Sequence, residues 1–337
     1  MRITLHLHYL ILSALLSLGL DAQDIHFSQF LKAPLELSPA MTAASDWDIR
    51  MGANWRQQWA SVPVNYQTFG GFYDQKMDVK LLRRGYLGMG ASFIHDQAGD
   101  SELSWTQIGL RLAYHYPIDR ELMLSGGINL DVGQRAFRSN QLQFADQYNG
   151  EFFDPGQSSV EQFAEQSAGY TSQGVGVNIR RRFWRSRSLV NVGFSLDHLN
   201  TPSIHFLDDN VVDLPVLITS YTNGVFEVSD EWDVKIQAYW AHQGAYYEVM
   251  AGGGGRYHFD FDGEDLMLGI GAQYRWQDAL ILQIEGSYQQ WHWGLSYDIN
   301  VSDFTVATQG RGGLELAVHY YLLKAKPPEE FKSCPVF

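Results

Sequence analysis

The residues best suited to metal chemistry lie close together, at His205, Asp208 and Asp209. An imidazole and two carboxylates can bind a divalent cation, but this spacing matches no established ligand motif, and a polar loop accounts for the same residues. A run of glycines at 252–255 lacks the Lys and the Ser or Thr that follow in a phosphate-binding loop. Glycines within a strand more often permit bending or close packing. We therefore predict no metal ion and no cofactor.

Hydrolysis is the second chemistry that the residue types allow. Ser220, Asp233 and His242 can act together only if separate strands bring them into contact, and nothing in the sequence favours this over a structural role. The sequence contains no G-x-S-x-G motif, which would mark the nucleophile of an α/β-hydrolase. We therefore predict no catalytic residue and a protein that is not an enzyme. A membrane-embedded hydrolase is the third-ranked hypothesis, and it requires one indispensable Ser or His.

Residues 1–22 have the layout of a cleavable signal peptide. Arg2 supplies the positive start, a mostly apolar stretch follows, and Ala22 is a small residue at the expected cleavage site. A single membrane anchor is the alternative, but the apolar stretch is short and is interrupted by His6 and His8. The sequence therefore predicts an exported protein.

Composition restricts the class of exported protein. A net charge of −14 argues against nucleic-acid binding, which requires Lys and Arg to neutralise phosphates. Cys334 is the only cysteine, so no intramolecular disulfide forms, and we interpret it as an incidental thiol near the end of the chain. No further run of about 18 apolar residues predicts a membrane helix. An aromatic content of 14% and 32 glycines favour many β-strands.

Alternation of apolar and polar residues recurs along the chain and predicts where the strands lie. Between Trp232 and Trp240, apolar side chains occupy every second position and Trp stands at both ends. At ~3.3 Å per residue and a tilt of ~40°, such a strand spans roughly 20 Å, close to the apolar band of an outer-membrane barrel with its aromatic girdles. The same alternation begins at Leu122, Leu266, Trp293 and Leu314.

These strands fit a membrane barrel better than a soluble β-sandwich. Soluble strands are usually about five or six residues long, whereas many of these runs reach about ten. The second face is rich in Gly, Ser, Gln and Asn, which suits a wet lumen. We predict an all-β transmembrane antiparallel barrel of about 14 strands. The strands are expected to start near Trp47, Val64, Arg84, Glu102, Arg120, Gly169, Ser188, Asp213, Glu231, Ala245, Glu264, Asp278, Gln290 and Gly312.

An even strand number predicts that both termini lie on the periplasmic side of the outer membrane. Short turns such as 117–119 and 229–231 then fall on the same side. The longest connection, 137–168, faces outward, is polar and acidic, and can fold into the mouth or reach a partner. We divide the chain into a signal peptide (1–22), an N-terminal periplasmic or plug segment (23–46), the outer-membrane barrel (47–323) and a short periplasmic tail (324–337).

Charged residues of both signs alternate into the predicted lumen. Mixed sign argues against a strongly ion-selective pore, so we favour a network of salt bridges that stiffens or closes the barrel. The charged positions are Arg50, Arg56, Arg111, Asp131, Lys235, Arg275, Glu285, Asp298 and Glu315.

The stretch 26–40 lacks alternation and contains two prolines, so it is neither a clean strand nor a good helix. Leaving its apolar side chains in water would be costly. We hypothesise that it packs against the lumen or the periplasmic rim and blocks free leakage, or docks on a partner. The alternative is a partly ordered lead-in with local contacts only. The candidate plug or partner-contact residues are Phe27, Phe30, Pro34, Leu35, Leu37 and Pro39.

Six sequence blocks are spread over nearly the whole mature chain. They are QDIHFSQF (23–30), APLELSPA (33–40), NWRQQW (54–59), YRWQDA (274–279), GLSYDINVS (294–302) and GRGGLEL (310–316). In this order they resemble the PorP/SprF family, whose N-terminus typically reads Q-D-x-x-F-S-Q-Y and then N-P-L-x-L-N-P-A. Ala33 and Ser38 stand where that family usually has Asn, and MTA at 41–43 replaces an aromatic residue followed by Ala and Gly. If those Asn side chains hold the N-terminal segment, this chain holds it differently.

The resemblance implies an outer-membrane component of the type IX secretion and gliding machinery of Bacteroidota. It implies a non-enzymatic protein, surrounded by outer-membrane lipid. The implied partners are a secreted or surface-anchored cargo protein, such as a large adhesin with a C-terminal targeting domain, and periplasmic secretion-ring or peptidoglycan-linked proteins. An outer-membrane porin or transporter for small or apolar solutes is the second hypothesis from the residues themselves, because a 14-stranded barrel with an N-terminal hatch also suits that function.

Overall fold

The computed structural model describes residues 24–58, 66–79, 82, 84–99, 101–138, 144–148, 152, 154, 166–207, 210–302, 305 and 310–324. Fourteen antiparallel strands close into a barrel, in which the first strand pairs with the last, so the predicted fold class and strand number are confirmed. Among the described residues, no helix is long and apolar enough to cross a membrane. The barrel strands are β1 (Ile49–Gln58), β2 (Tyr66–Met77), β3 (Tyr86–Ala98), β4 (Leu103–Pro117), β5 (Leu122–Ala136), β6 (Ser167–Arg182), β7 (Leu189–Asp197), β10 (Leu217–Glu227), β11 (Trp232–Gln243), β12 (Tyr246–Phe261), β13 (Glu264–Arg275), β14 (Ala279–Tyr288), β15 (Trp291–Asn300) and β16 (Arg311–Leu322).

Strand β5 shows how the alternation builds the two surfaces of the barrel. Ile128, Leu130 and Val132 point outward and are about half exposed, at 56%, 49% and 59%. Asn129 and Asp131, between them, are buried on the inner face. A lipid-facing apolar surface and a polar interior are what a membrane barrel requires.

The two ends of the barrel differ in the length of their connections. Ile49, at the start of β1, pairs with Leu322, at the end of β16, so both strands begin or finish at the same end, which we call the termini end. The connections there include the short turns 118–121, 228–231, 262–263 and 289–290. The opposite end, which we call the loop end, carries the long connections 137–166 and 198–216.

A separate hairpin lies in the connection between β7 and β10. It consists of β8 (Ser203–Leu207) and β9 (Asn210–Asp213), which pair with each other in a sheet separate from the barrel. The predicted barrel-strand start near Asp213 is therefore displaced, because this residue ends β9 and the barrel strand begins at Leu217. Strands as short as these show too little alternation to be recognised in the sequence.

The residues before β1 fold inside the barrel. Two short 3₁₀ turns, Phe30–Lys32 and Pro39–Met41, flank a four-residue helix, α1 (Pro34–Leu37). Pro34 occupies the first turn of α1, where its missing N–H costs nothing, and the Ser38 side chain accepts a hydrogen bond from the Ala40 N–H to cap the second 3₁₀ turn. The two prolines thus start turns rather than break a helix.

Candidate functional site

Residues 24–48, which we call the lumen segment, extend from one end of the barrel interior to the other. Near the loop end, the Asp24 N–H donates to Gln243 Oε1 at 2.9 Å, and Asp24 Oδ2 lies 2.5 Å from His198 Nε2. Near the termini end, Arg180 Nη1 donates to the Ala44 carbonyl at 3.0 Å. The lumen segment therefore runs through the barrel interior between its two ends.

The apolar side chains of the lumen segment are buried against the inner wall. Phe30 joins a cluster with Met250 and Ile281, and its ring centroid lies 5.2 Å from that of Tyr239. Phe27 packs with Ile94 in a second cluster. All six candidate plug residues are buried, namely Phe27, Phe30, Pro34, Leu35, Leu37 and Pro39. None of the six side chains is exposed in this arrangement.

Glycines on the inner face allow the lumen segment to approach the wall closely. A Cβ at Gly127 would lie 2.4 Å from the Pro39 carbonyl carbon, and one at Gly88 would lie 2.3 Å from the Thr42 carbonyl oxygen. A Cβ at Gly176 would lie 2.3 Å from Ser38 Oγ. These distances are shorter than any real contact, so the wall has room for the segment only because side chains are missing there.

Five charged residues from five strands surround Ser28 and Gln29, and we call them the anchor cluster. They are Arg56 on β1, Glu248 on β12, Arg275 on β13, Asp298 on β15 and Glu315 on β16. None is more than 3% exposed. The cluster links strands that are distant along the chain through one point inside the barrel.

Within the anchor cluster, the lumen segment donates hydrogen bonds to wall carboxylates and accepts them from wall arginines. The N–H groups of Ser28 and Gln29 donate to the two carboxylate oxygens of Glu315, at 2.7 and 2.9 Å. Ser28 Oγ donates to Asp298 Oδ2 at 2.8 Å and accepts from Arg275 Nη2 at 2.6 Å. Charge-assisted hydrogen bonds of this kind are the stronger ones in proteins.

The arginines of the anchor cluster are held between carboxylates. Arg275 Nε lies 2.9 Å from Glu248 Oε1, and Arg275 Nη1 lies 3.1 Å from Asp298 Oδ2. Arg56 Nη2 lies 3.3 Å from the same Asp298 oxygen, and Arg56 also donates to the His26 carbonyl. Burial, with Arg56 and Arg275 next in importance, lowers the pKa of the His26 imidazole well below its usual value.

The other charged lumen residues predicted from the sequence form separate pairs. Arg50 Nη2 lies 2.5 Å from Asp74 Oδ2 and also donates to the Met41 carbonyl at 2.9 Å. Arg111 Nη1 lies 2.5 Å from Asp131 Oδ1, and its Nε donates to the Leu35 carbonyl at 3.1 Å. Each of these arginines thus joins a wall carboxylate to the backbone of the lumen segment.

The predicted charged residues are not one continuous network. Arg56, Arg275, Asp298 and Glu315 meet in the anchor cluster, whereas Arg50 and Asp131 belong to the separate pairs. Glu285 lies elsewhere, 3.0 Å from Lys235 Nζ. Sequence reasoning did not select Ser28, Gln29, Asp74 or Glu248, although the FSQF block around Ser28 was a usable signal.

The structure does not bring the candidate catalytic residues together. Ser220 pairs with Trp240 across β10 and β11, whereas Asp233 is near the opposite end of β11 from His242. Asp233 instead contacts Arg187 and His258. The backbone at 252–255 runs within β12, where a Cβ at Gly252 or Gly254 would meet a neighbouring carbonyl oxygen at 2.2 Å.

The metal-ligand candidates and the lone cysteine fall outside what the structure describes. Asp208 and Asp209, and the side chain of His205, lie outside the described residues, and so does Cys334. Across the described part of the chain, no group of three or more His, Cys, Asp or Glu residues is placed to hold a metal ion.

The sequence blocks that suggested a family meet in the folded chain. Ser28 and Gln29 come from the first block, and the anchor cluster draws Arg56, Arg275, Asp298 and Glu315 from four others. Residues 20–320 match the sequence profile of the type IX secretion system membrane protein PorP/SprF. The chain belongs to this family. The PorP/SprF resemblance is thereby confirmed.

Comparison with solved structures returns outer-membrane barrels. The TodX monoaromatic hydrocarbon channel (deltaS2 mutant) has a TM-score of 0.50 and 10% identity, over 87% of this chain and 94% of that one. A Pseudomonas aeruginosa FadL homologue has a TM-score of 0.49 and 11% identity, over 84% of this chain and 92% of that one. A sequence identity this low supports a similarity of fold alone. No curated protein matches the chain.

The family and the fold together fix the location of the protein. A closed barrel with an apolar outer surface, in a family of type IX secretion membrane proteins, is an integral outer-membrane protein. The predicted localisation is therefore confirmed, while the signal peptide at 1–22 stays a prediction because it lies outside the described residues.

Proposed function

We propose that this PorP/SprF protein is a non-enzymatic component of the type IX secretion and gliding machinery. It binds a secreted or surface-anchored, adhesin-like cargo protein with a C-terminal targeting domain, and it links that cargo to periplasmic secretion-ring or peptidoglycan-linked proteins. The observation that carries the proposal is the lumen segment, which occupies much of the barrel interior with buried apolar side chains and ion pairs. A barrel filled in this way is suited to hold proteins at its two ends.

The orientation follows from the lengths of the connections. Short turns are typical of the periplasmic side and long loops of the external side of outer-membrane barrels. We therefore place the termini end in the periplasm and the loop end outside the cell. In this orientation residues 23–46 form a plug that blocks leakage, 47–323 form the barrel and 324–337 form a periplasmic tail.

The loop end presents surface suited to protein binding. Tyr148 and Phe152, in the long connection between β5 and β6, are 54% and 59% exposed. Aromatic side chains are enriched at protein–protein interfaces, whereas water is a poor environment for them. We propose that this connection contributes to cargo binding.

A pull-down in mild detergent from the native outer membrane tests the proposal, with partners identified by mass spectrometry. The tagged full-length protein is expected to recover a secreted adhesin-like protein and periplasmic secretion proteins. The double variant Tyr148→Ser, Phe152→Ser is expected to lose the secreted partner and keep the periplasmic ones. Val228→Ser, an exposed residue in a turn at the termini end, is the matched control.

The alternative function is a porin or transporter for small or apolar solutes. It requires the lumen segment to leave the interior, at the cost of the contacts that bury it. Recovery of the folded barrel alone, in good yield and without partners, would favour this alternative. Conductance in planar bilayers would then be the next measurement.

A further inference from the structure

A second charged region of the lumen, distinct from the anchor cluster, lines a cavity of about 230 Å³. The cavity lies between the first 3₁₀ turn of the lumen segment and the inner wall. Leu189, the first residue of β7, and Tyr321, near the end of β16, both line it, so it lies in the half of the lumen nearest the termini end. We call it the basic cavity.

Positive charge predominates in the basic cavity. Glu285 Oε1 lies 3.0 Å from Lys235 Nζ and 2.9 Å from Arg256 Nε, while its second oxygen lies 4.0 Å from Lys32 Nζ. Arg50 also lines the cavity but is paired with Asp74. Among the described lining residues, Glu285 is the only carboxylate, so two of the three surrounding cations have no negative charge of their own.

This excess of charge is held largely out of water. The side chains of Lys32, Lys235 and Arg256 are 18%, 12% and 21% exposed, and that of Glu285 is 12% exposed. Burying like charges together is unfavourable unless an opposite charge compensates them. The chain as a whole has a net charge of −14, so this concentration of cations is not a consequence of its composition.

The ionisation of Lys32 reflects the same imbalance. Burial lowers the pKa of Lys32 to about 8; Glu285 acts in the opposite direction, whereas Lys235 and Arg256 add to the lowering. The remaining polar lining includes the neutral amides of Asn191, Asn223, Gln237 and Gln283, which can donate hydrogen bonds to an anion. Donors and cations thus face one open volume.

We propose that the basic cavity binds an oxyanion, a phosphate or carboxylate group, between Lys32, Lys235 and Arg256. Such a group supplies the compensating charge and accepts hydrogen bonds from both the lumen segment and the wall. The ligand would therefore stabilise the docked segment. The inference does not depend on cargo binding, because it rests on the lumen alone.

The test uses the purified full-length protein in detergent. Binding of inorganic phosphate and of acetate is measured by calorimetry, and the melting temperature is followed in each anion and in chloride at equal ionic strength. We expect saturable binding of at least one oxyanion and a higher melting temperature than in chloride. Binding of phosphate alone indicates a phosphoryl ligand, whereas binding of both indicates that a carboxylate also fits.

Two substitutions have opposite expected effects, which a general loss of structure cannot produce. Lys235→Gln removes one cation and is expected to weaken binding by about tenfold or more. Glu285→Gln removes the competing carboxylate and is expected to tighten binding. Arg138→Gln, an exposed pair partner of Glu102 far from the cavity, is the control and leaves binding unchanged.

Three results would overturn the proposal. The first is equal stability in phosphate, acetate and chloride with no saturable heat of binding. The second is a change in the same direction for Lys235→Gln and Glu285→Gln. If Glu285→Gln does not fold, Lys32→Gln is measured in its place. The third result is then unchanged anion binding in both Lys32→Gln and Lys235→Gln.

Discussion

The anchor cluster and the basic cavity lie in the same lumen and contact the same segment, yet their charges are arranged oppositely. In the anchor cluster, two arginines face three carboxylates, and both oxygens of Glu315 accept hydrogen bonds from the N–H groups of Ser28 and Gln29. In the basic cavity, three cations face one carboxylate and an open volume remains. Where the lumen segment supplies hydrogen-bond donors, it offsets the negative charge of the wall. Where it adds a further cation, the site is suited to an outside anion.

The largest effect is expected from breaking the anchor cluster. Arg275→Met removes the cation shared by Glu248, Asp298 and Ser28, so that Glu248 loses its arginine partner and Asp298 keeps only Arg56. Loss of one partner of a buried ion pair costs roughly 3–5 kcal/mol. Urea unfolding of the protein in micelles, followed by Trp fluorescence, measures the loss. Arg138→Met is the control, and equal midpoints for the two variants would contradict the assigned role.

A smaller effect is expected from crowding the lumen segment without changing any charge. Gly127→Val places a side chain against the Pro39 backbone, and overpacking of this kind typically costs about 1–3 kcal/mol. The segment is expected to be displaced, with a higher conductance in planar bilayers. Gly126→Val is matched in chemistry, but Gly126 faces outward with nothing within 4 Å of its added Cβ. Unchanged closure in Gly127→Val would argue against the plug.

The smallest effect is a difference in pH dependence between the two regions. The pKa of His26, beside the anchor cluster, is lowered in the docked segment, so the released segment takes up a proton first as the pH falls below about 6.5. Docking is therefore weakened below that pH. The pKa of Lys32, in the basic cavity, is about 8 when docked and 10.5 when free, so docking strengthens as the pH rises between these values.

Proteolysis of the lumen segment across the pH range separates these two contributions. Each group changes the docking free energy by at most about 1.4 kcal/mol per pH unit within its own window. His26→Gln is expected to remove the dependence below pH 6.5 and to leave the dependence above pH 8 intact, while Lys32→Gln does the reverse. Loss of both dependences in either variant would show that the two regions do not act separately.

The barrel was predictable because its signal is local. Outward residues such as Leu130 meet lipid and inward ones such as Asp131 meet the lumen, so each strand carries its own period-two pattern. The hairpin β8–β9 was not predicted because its strands are too short to show that pattern. The apolar content of 26–40 was likewise visible in the sequence. The route of this segment through the lumen could not be predicted from it.

The partners of the lumen residues could not be read from the sequence. Arg275 contacts Glu248, Asp298 and Ser28 because barrel closure and strand register place them on one level of the lumen. Alternation gives the face on which a residue lies but not the residue across the lumen. The sequence therefore predicted a network of lumen salt bridges from nine charged positions without their pairing. In the structure these residues divide among the anchor cluster, separate pairs and the basic cavity.

The anchor cluster has a consequence for the order of assembly. Arg56 lies on β1 and Glu315 on β16, and these two strands form the seam at which the sheet closes on itself. Ser28 and Gln29 contact Glu315, while the carbonyl of His26 contacts Arg56, so one short stretch bridges both sides of the seam from within. The last strand to be synthesised therefore completes a site that also contains Ser28 and Gln29 of the lumen segment, and the cluster forms only in a barrel that has closed around that segment.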